Sequence, residues 1–397
     1  MNDNAYVMAP DLSGDLRGWQ SKSLIVGVIG LLLCIVGFVL DRQQFFRSYL
    51  IGFFFWMGMG LGCMGLLMMH HLSGGAWGMV IRRPLESGTR GVYLMIPLFL
   101  PLVLGMGTLY SWTRPDAAHD AVLQAKSFYL NQPFFFARIV FYFLIWGVMV
   151  FLLNKWSIDQ DRGGPMPWAN KLESFSGPGL VVYALTITFA SVDLLMSLDP
   201  HWFSTVYGLL VMIGQGLSAL AFMIAVIVLL ATRPPLSNVI TRRHLHDLGK
   251  LLLAFVMLWA YLSFSQLIII WSGNLPEEIP WYVNRFNGGW LYVGWVLLLF
   301  HFVLPFLMLL SQRLKKNPKK LLFVAVWVII IRLVDVFWLV EPNFDKGALR
   351  LHWMDLAAPI GIGGVWIWWF LRQLQQQPLL PVNAPDLQKV LDHGRHH

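Results

Sequence analysis

Long apolar runs separated by short polar stretches dominate this chain. Ten of them, at residues 23–40, 49–69, 92–110, 134–153, 180–198, 206–230, 251–271, 290–310, 321–340 and 356–371, approach or exceed the roughly 20 helical residues that cross a hydrocarbon core about 30 Å thick. The runs are continuous rather than alternating, which argues against the strands of a membrane barrel. Lipid offers backbone N–H and C=O groups no partner, so each run is predicted to be a helix. The predicted fold class is an all-α polytopic membrane protein with ten transmembrane helices. The first run continues into Asp41-Arg42 without a small-residue cleavage site, so it is read as a retained span.

Polar residues inside these runs carry the next layer of information. SVDLLMSLDPHWF at 191–203 and RLVDVFWLVEPNF at 332–344 share one arrangement: Asp193 lies six residues before Asp199-Pro200, and Asp335 six before Glu341-Pro342. The match places helix 5 against helix 9 in a repeat. It predicts two four-helix bundles, helices 2–5 and 6–9, flanked by helices 1 and 10. The corresponding division is 1–48 for the N-terminus and helix 1, 49–200 and 201–342 for the two units, and 343–397 for helix 10 and a tail. Both units start on the same face, as in a parallel repeat about the membrane normal. Chance similarity of two helices ending in acid-Pro is the bland alternative.

Composition agrees with lipid as the solvent. Charged residues make up 13% of the 397, about half the share of soluble domains. Most of the 29 Lys and Arg fall at the two ends of the chain and in the connections after helices 2, 4, 6 and 8. The positive-inside rule then puts both termini in the cytoplasm. RLKKNPKK at 313–320 reads as an anchor to lipid headgroups rather than a nucleic-acid surface. Cys34 and Cys63 are the only cysteines and lie within spans, too few for an iron–sulfur cluster, and no C-x-x-C-H offers haem attachment. No metal site is expected in this chain.

Several residues are candidates for chemistry. Arg332 and Asp335 stand three apart in helix 9, on one face. Facing lipid would cost each about 2.5–3.5 kcal/mol, so both are expected to turn into the bundle, as a structural pair or a transport element. Asp193 has no basic neighbour on its own helix; without a cross-helix partner it would take up a proton. A proton relay and a neutral Asp bonded near Thr186, Thr188 and Ser191 both remain open. Arg138 is a possible neutraliser of one of these acids, or a residue that snorkels to the interface. His301, midway along helix 8, titrates near neutrality and is the candidate to pass protons, with plain packing as the alternative. Haem b ligation is disfavoured, because His70 and His71 lie at the end of helix 2 and not at the depth of His301. Asp199, His201, Glu341 and Asp345 would form an acidic exit at the outer face. Ser263, Ser265 and Gln266 are possible water-holding groups in helix 7, whereas Glu173, His244, His246 and Asp247 are read as solvent-facing loop residues.

Other features have structural explanations. The glycines of helix 2, among them Gly58 and Gly62, suit close helix packing. Pro97 and Pro101 predict a bend in helix 3. Trp19, Trp112, Trp156, Trp202 and Trp281, near span ends, read as interface anchors, as do Trp366, Trp368 and Trp369.

Ten spans, two four-helix units, SLDPHWF after helix 5 and the absence of cofactor ligands together resemble the NrfD/PsrC-like membrane subunits of redox complexes. Within that family the chain is most similar to the second such subunit of bacterial alternative complex III, a quinol:cytochrome c oxidoreductase. The resemblance covers essentially all ten spans. It implies a hetero-oligomeric complex in a bacterial inner membrane, with partners that include a second NrfD-like protein, an iron–sulfur protein and c-type cytochromes carrying haem c. It implies no cofactor bound by this chain, with quinol a possible ligand, and a role in assembly and proton translocation through Asp193, His301, Arg332 and Asp335. A chain that itself oxidises quinol near Asp199 and His201 is one alternative, and a stand-alone secondary transporter another.

Overall fold

The structure, a computed structural model, describes residues 10–345, 347–385 and 387; the rest of the expected N-terminal segment and tail lies outside the described residues. Among the described residues there is no strand, and ten helices are long and apolar enough to cross a membrane. They are α1 (Leu12–Leu40), α2 (Arg42–Ser73), α3 (Ala76–Leu104), α4 (Gln132–Gly163), α5 (Trp168–Leu198), α6 (Tyr207–Leu230), α7 (Arg242–Gly273), α8 (Trp290–Leu310), α9 (Pro318–Asn343) and α10 (Met354–Leu374).

Capping chemistry marks several of the ends. The Asp41 carboxylate accepts from the backbone N–H groups of Gln43 and Gln44, both at 3.0 Å. Asn131 and Asn317 cap α4 and α9 in the same way, each followed by a proline-containing first turn. Gly74, at φ 61°, closes α2 in a conformation that other residues avoid.

Many helices run longer than the apolar pattern predicts. α3 starts at Ala76 instead of 92, α5 at Trp168 instead of 180, and α7 at Arg242 instead of 251. Polar residues between the apolar runs continue the helices, either paired inside the protein or exposed at a span end. His244, His246, Asp247 and Glu173 are therefore helical rather than loop residues, and His244 is fully buried. α3 does break beyond its prolines, at Phe99 and again at Gly105, into short helical pieces. The connections 105–131 and 274–289 contain short helices, Ala121–Ala125 and Ile279–Phe286.

The packing order gives each span a distinct environment. α2 touches α3, α5, α6 and α10, and 94% of its most apolar window is buried, against 22% for α1. α2, α3, α4 and α5 each pack on the next, with α5 returning to α2; α6, α7, α8 and α9 do the same, with α9 returning to α6. α2 meets α6 between these sets. At that contact a Cβ on Gly62 would overlap the backbone of Gln215, so only glycine permits the spacing. α1 lies along α10, where Gly27 and Gly30 face Gly364 and Gly361 at backbone contact.

Burial corrects the reading of several tryptophans as interface anchors. Trp112, Trp202, Trp281 and Trp366 are buried. Trp202 and Trp281 stack at 4.7 Å, and Trp366 packs against Trp56 and Phe370. Position near a span end does not distinguish a ring turned to lipid from one turned inward.

Candidate functional site

Asp193 in α5 and Asp335 in α9 are both buried, and the two acids have different partners. Asp193 on α5 is completely buried. Arg138 of α4 grips it with two parallel bonds, Nε to Oδ2 at 2.9 Å and Nη2 to Oδ1 at 2.8 Å. Tyr142, one turn along α4, donates its hydroxyl to Oδ2 at 2.8 Å. The remaining Arg138 nitrogen donates to the Tyr129 carbonyl, and its guanidinium lies over the Tyr129 ring at 3.8 Å. Asp193 therefore has the cross-helix cation whose absence would have favoured protonation. Both carboxylate oxygens are occupied, in a bidentate geometry suited to a buried pair.

Asp335 on α9 pairs with Arg332 of the same helix and accepts from Trp259 Nε1 of α7 at 3.0 Å. Both bonds reach Oδ2. No hydrogen bond to Oδ1 forms among the described residues. Arg332 lies against Gly214 of α6, where any Cβ would collide with the guanidinium. Asp335 also lines a cavity of about 530 Å³ between α6, α7, α8 and α9.

His301 belongs to the same cluster. Its ring meets Trp259 edge to face at 4.3 Å, it is fully buried, and neither ring nitrogen has a hydrogen-bond partner among the described residues. It sits in a π-helical stretch, Leu297–Val303. Pro305 lacks the N–H that an α-helix would return to the His301 carbonyl, which loosens the ladder here. Trp327 on α9 donates to the Phe300 carbonyl at 2.8 Å and satisfies part of the disturbed turn. Such π turns often accompany functional positions.

The residues expected to form one acidic exit are distributed among separate contacts. Exposed His201 lies 2.8 Å from Asp120, in the connection before α4. Desolvation opposes ionisation of Asp120, but the Leu123 and Val122 N–H groups and His201 outweigh it and hold the carboxyl below its usual range. Asp199 is half-buried, near Lys126, which donates to the Pro200 carbonyl at 2.6 Å. Glu341 is buried at the end of α9, where Gln44 reaches both Glu341 at 3.4 Å and Asp355 at 3.0 Å. Ser48 donates to the same Asp355 oxygen at 2.6 Å, and Asp345 pairs with Arg47 at 3.4 Å.

Two buried charge sites escaped the sequence reading. On α3, Arg82 and Arg83 clasp Glu86 at 3.0 and 2.6 Å, with Arg83 also on Asp161 of α4 and Ser157 bonded to Glu86 at 2.5 Å. The spacing RR-x-x-E was the available signal. Arg285, in the short helix Ile279–Phe286, is buried under Trp281 and donates to the Trp338 and Leu339 carbonyls near the end of α9. It acts as a cationic cap on that helix.

His, Cys, Asp and Glu form no cluster of three that would hold a metal among the described residues. The Asp335 cluster can hold a proton at Oδ1 or at a His301 nitrogen and can accept a hydrogen bond inside the cavity. No family model matches the sequence, and neither does any curated protein.

Proposed function

We propose that this chain is an integral membrane subunit of a quinol:cytochrome c oxidoreductase in a bacterial inner membrane, with both termini cytoplasmic. It supports assembly of that complex and passes protons through the second of two four-helix units. The reading of two units is supported by the closed packing orders α2–α5 and α6–α9. The assignment to a redox complex is supported by the paired acid segments and SLDPHWF. Partner subunits supply the haem c and iron–sulfur centres of the chemistry.

The observation that carries the proton role is Asp335: a deeply buried acid whose Oδ2 is bound by Arg332 and Trp259, whose Oδ1 has no protein partner among the described residues, and which lines a cavity. A group that gives and takes protons needs such a free site. His301, with two unpartnered nitrogens on the far partner of the same Trp259, is the adjacent station. Trp259 stands between the two groups and cannot itself relay a proton, since an indole N–H donates and does not accept. Quinol oxidation at Asp199 and His201 has less support, because His201 is exposed and committed to Asp120.

The test uses the complex as it purifies from its native membrane. Haem- and iron–sulfur-bearing proteins should accompany the chain; isolation of an active chain alone would favour the transporter reading. Asp335→Asn should lower proton release per electron while the complex still assembles. Unchanged proton release and turnover would remove the conducting role.

A further inference from the structure

A second cavity, of about 470 Å³, opens at the end of the bundle where α2 begins and α3, α5 and α9 finish. Arg47, in the second turn of α2, and Arg114, in the connection after α3, both line it, and among the described residues no Asp or Glu does. Both cations are held in place. Arg114 donates from Nε to the Gly107 carbonyl at 2.9 Å and from Nη2 to the Thr108 carbonyl at 2.8 Å, in the short helical piece Met106–Leu109. Arg47 lies over the Phe344 ring at 4.6 Å and reaches Asp345 through Nη1 at 3.4 Å.

Neither guanidinium is used up by these contacts. Among the described residues Arg114 Nη1 and Arg47 Nη2 form no hydrogen bond, and Arg114 has no carboxylate partner. The Gln43 amide and the Thr108 and Ser111 hydroxyls line the same space, and none of these side chains forms a hydrogen bond among the described residues. A guanidinium donates and cannot accept, so the group that satisfies this wall must bring acceptors. It must also bring negative charge, because Asp345 offsets one arginine and leaves the other. A phosphate group meets both needs. It pairs with guanidinium forks, it offers more oxygens than a carboxylate to the three neutral donors, and the volume leaves room for a substituent on it.

We propose that this cavity binds an oxyanion of the phosphate class, with Arg47 and Arg114 sharing its charge and Gln43, Thr108 and Ser111 bonding its remaining oxygens. Span ends lie at the depth of lipid headgroups, so the group can come from a phospholipid or from the aqueous phase. The site involves neither Asp335 nor His301. It stands whether or not the chain works in a redox complex.

The full chain, with whatever partners purify with it, is washed in a neutral maltoside detergent and its retained phospholipid is counted by phosphorus analysis. It is then dialysed at low salt against radiolabelled inorganic phosphate. Arg47→Gln and Arg114→Gln should each weaken anion binding about ten- to a hundredfold, as expected for loss of a charged hydrogen-bond donor. Gly107→Glu provides an independent variant: Gly107 lines the cavity, and a Cβ there meets nothing within 4 Å. The added carboxylate should abolish binding with the thermal midpoint unchanged, whereas Gly107→Gln, equal in size but uncharged, should bind like the parent. Saturable binding of inorganic phosphate that follows this pattern would support a site for an aqueous anion. One phospholipid more per chain in the parent than in Arg114→Gln and Gly107→Glu would support the same site filled by a headgroup. If the variants neither bind less phosphate nor retain less lipid than the parent, the proposal is overturned and the two arginines are clamps on the ends of α2 and α3.

Discussion

Asp193 and Asp335 occupy matching places in the two halves of the sequence, yet one is sealed and the other is open. Around Asp193, Arg138 and Tyr142 both come from α4 and take up both carboxylate oxygens. Around Asp335, the cation comes from one turn earlier on α9 itself, and Trp259 approaches from α7. Among the described residues α8 contributes no polar partner to the acid, and its Trp290–Val296 segment makes little contact with α7. The same residue type at the same sequence position thus serves as a helix clamp in one half and as an accessible acceptor in the other. Which of these an embedded acid becomes is set by the neighbouring helix, because a salt bridge closes only when another span supplies a cation at the same depth.

The largest effect should come from breaking the sealed pair. Arg138→Met leaves Asp193 buried without its counter-ion and is expected to cost about 3–5 kcal/mol, read as a loss of thermal or denaturant stability in detergent. The double variant Arg138→Met/Asp193→Leu should recover most of that loss, since apolar packing can replace a buried pair. Failure of the second change to rescue the first would mean that Asp193 has a role apart from holding Arg138. Asp335→Asn should cost less, about 1–3 kcal/mol, because the amide oxygen still accepts from Arg332 and Trp259. A greater loss for Asp335→Asn than for Asp193→Asn would invert the comparison.

Trp259→Phe sharpens the comparison from the open side. It keeps a ring against His301 and removes the N–H that Asp335 accepts, so it should cost about 1.5–3 kcal/mol, as for a bond to a charged group. Of similar or smaller size is Gly62→Ala at the α2–α6 contact, where the added carbon meets the Gln215 backbone; overpacking of this kind costs about 1–3 kcal/mol. Its effect should appear in global unfolding and leave proton release per electron unaltered. A selective loss of proton release would show that the spacing of the halves sets the shape of the cavity.

The sequence revealed spans more readily than it revealed pockets. Ten helices follow from hydropathy alone, because the bilayer imposes one length on every apolar run. Their ends do not, since residues such as Arg82, Arg83 and Glu86 satisfy one another and let α3 continue through polar sequence. The two acids were legible through their repeated spacing, and Arg138 through being a cation within a span. The contrast between them was not, because it depends on which side of a neighbouring helix carries its polar groups and on how far two helices diverge. The π turn at His301 and the gap between α7 and α8 are properties of packing, with Pro305 as the one local sign in the sequence.

The smallest effect should fall on the exposed pair of His201 and Asp120, which binds the connection before α4 to the one after α5. Both partners are solvated, at 54% and 31% side-chain exposure, and exposed ion pairs contribute at most about 1 kcal/mol. His201→Ala should therefore shift stability by less than the uncertainty of most unfolding measurements in detergent. If Asp335 is the working acid, His201→Ala should also leave turnover and proton release within about twofold of the parent complex. A large loss of turnover with stability intact would transfer the chemistry from the cavity beside Asp335 to the Asp199–His201 segment between α5 and α6.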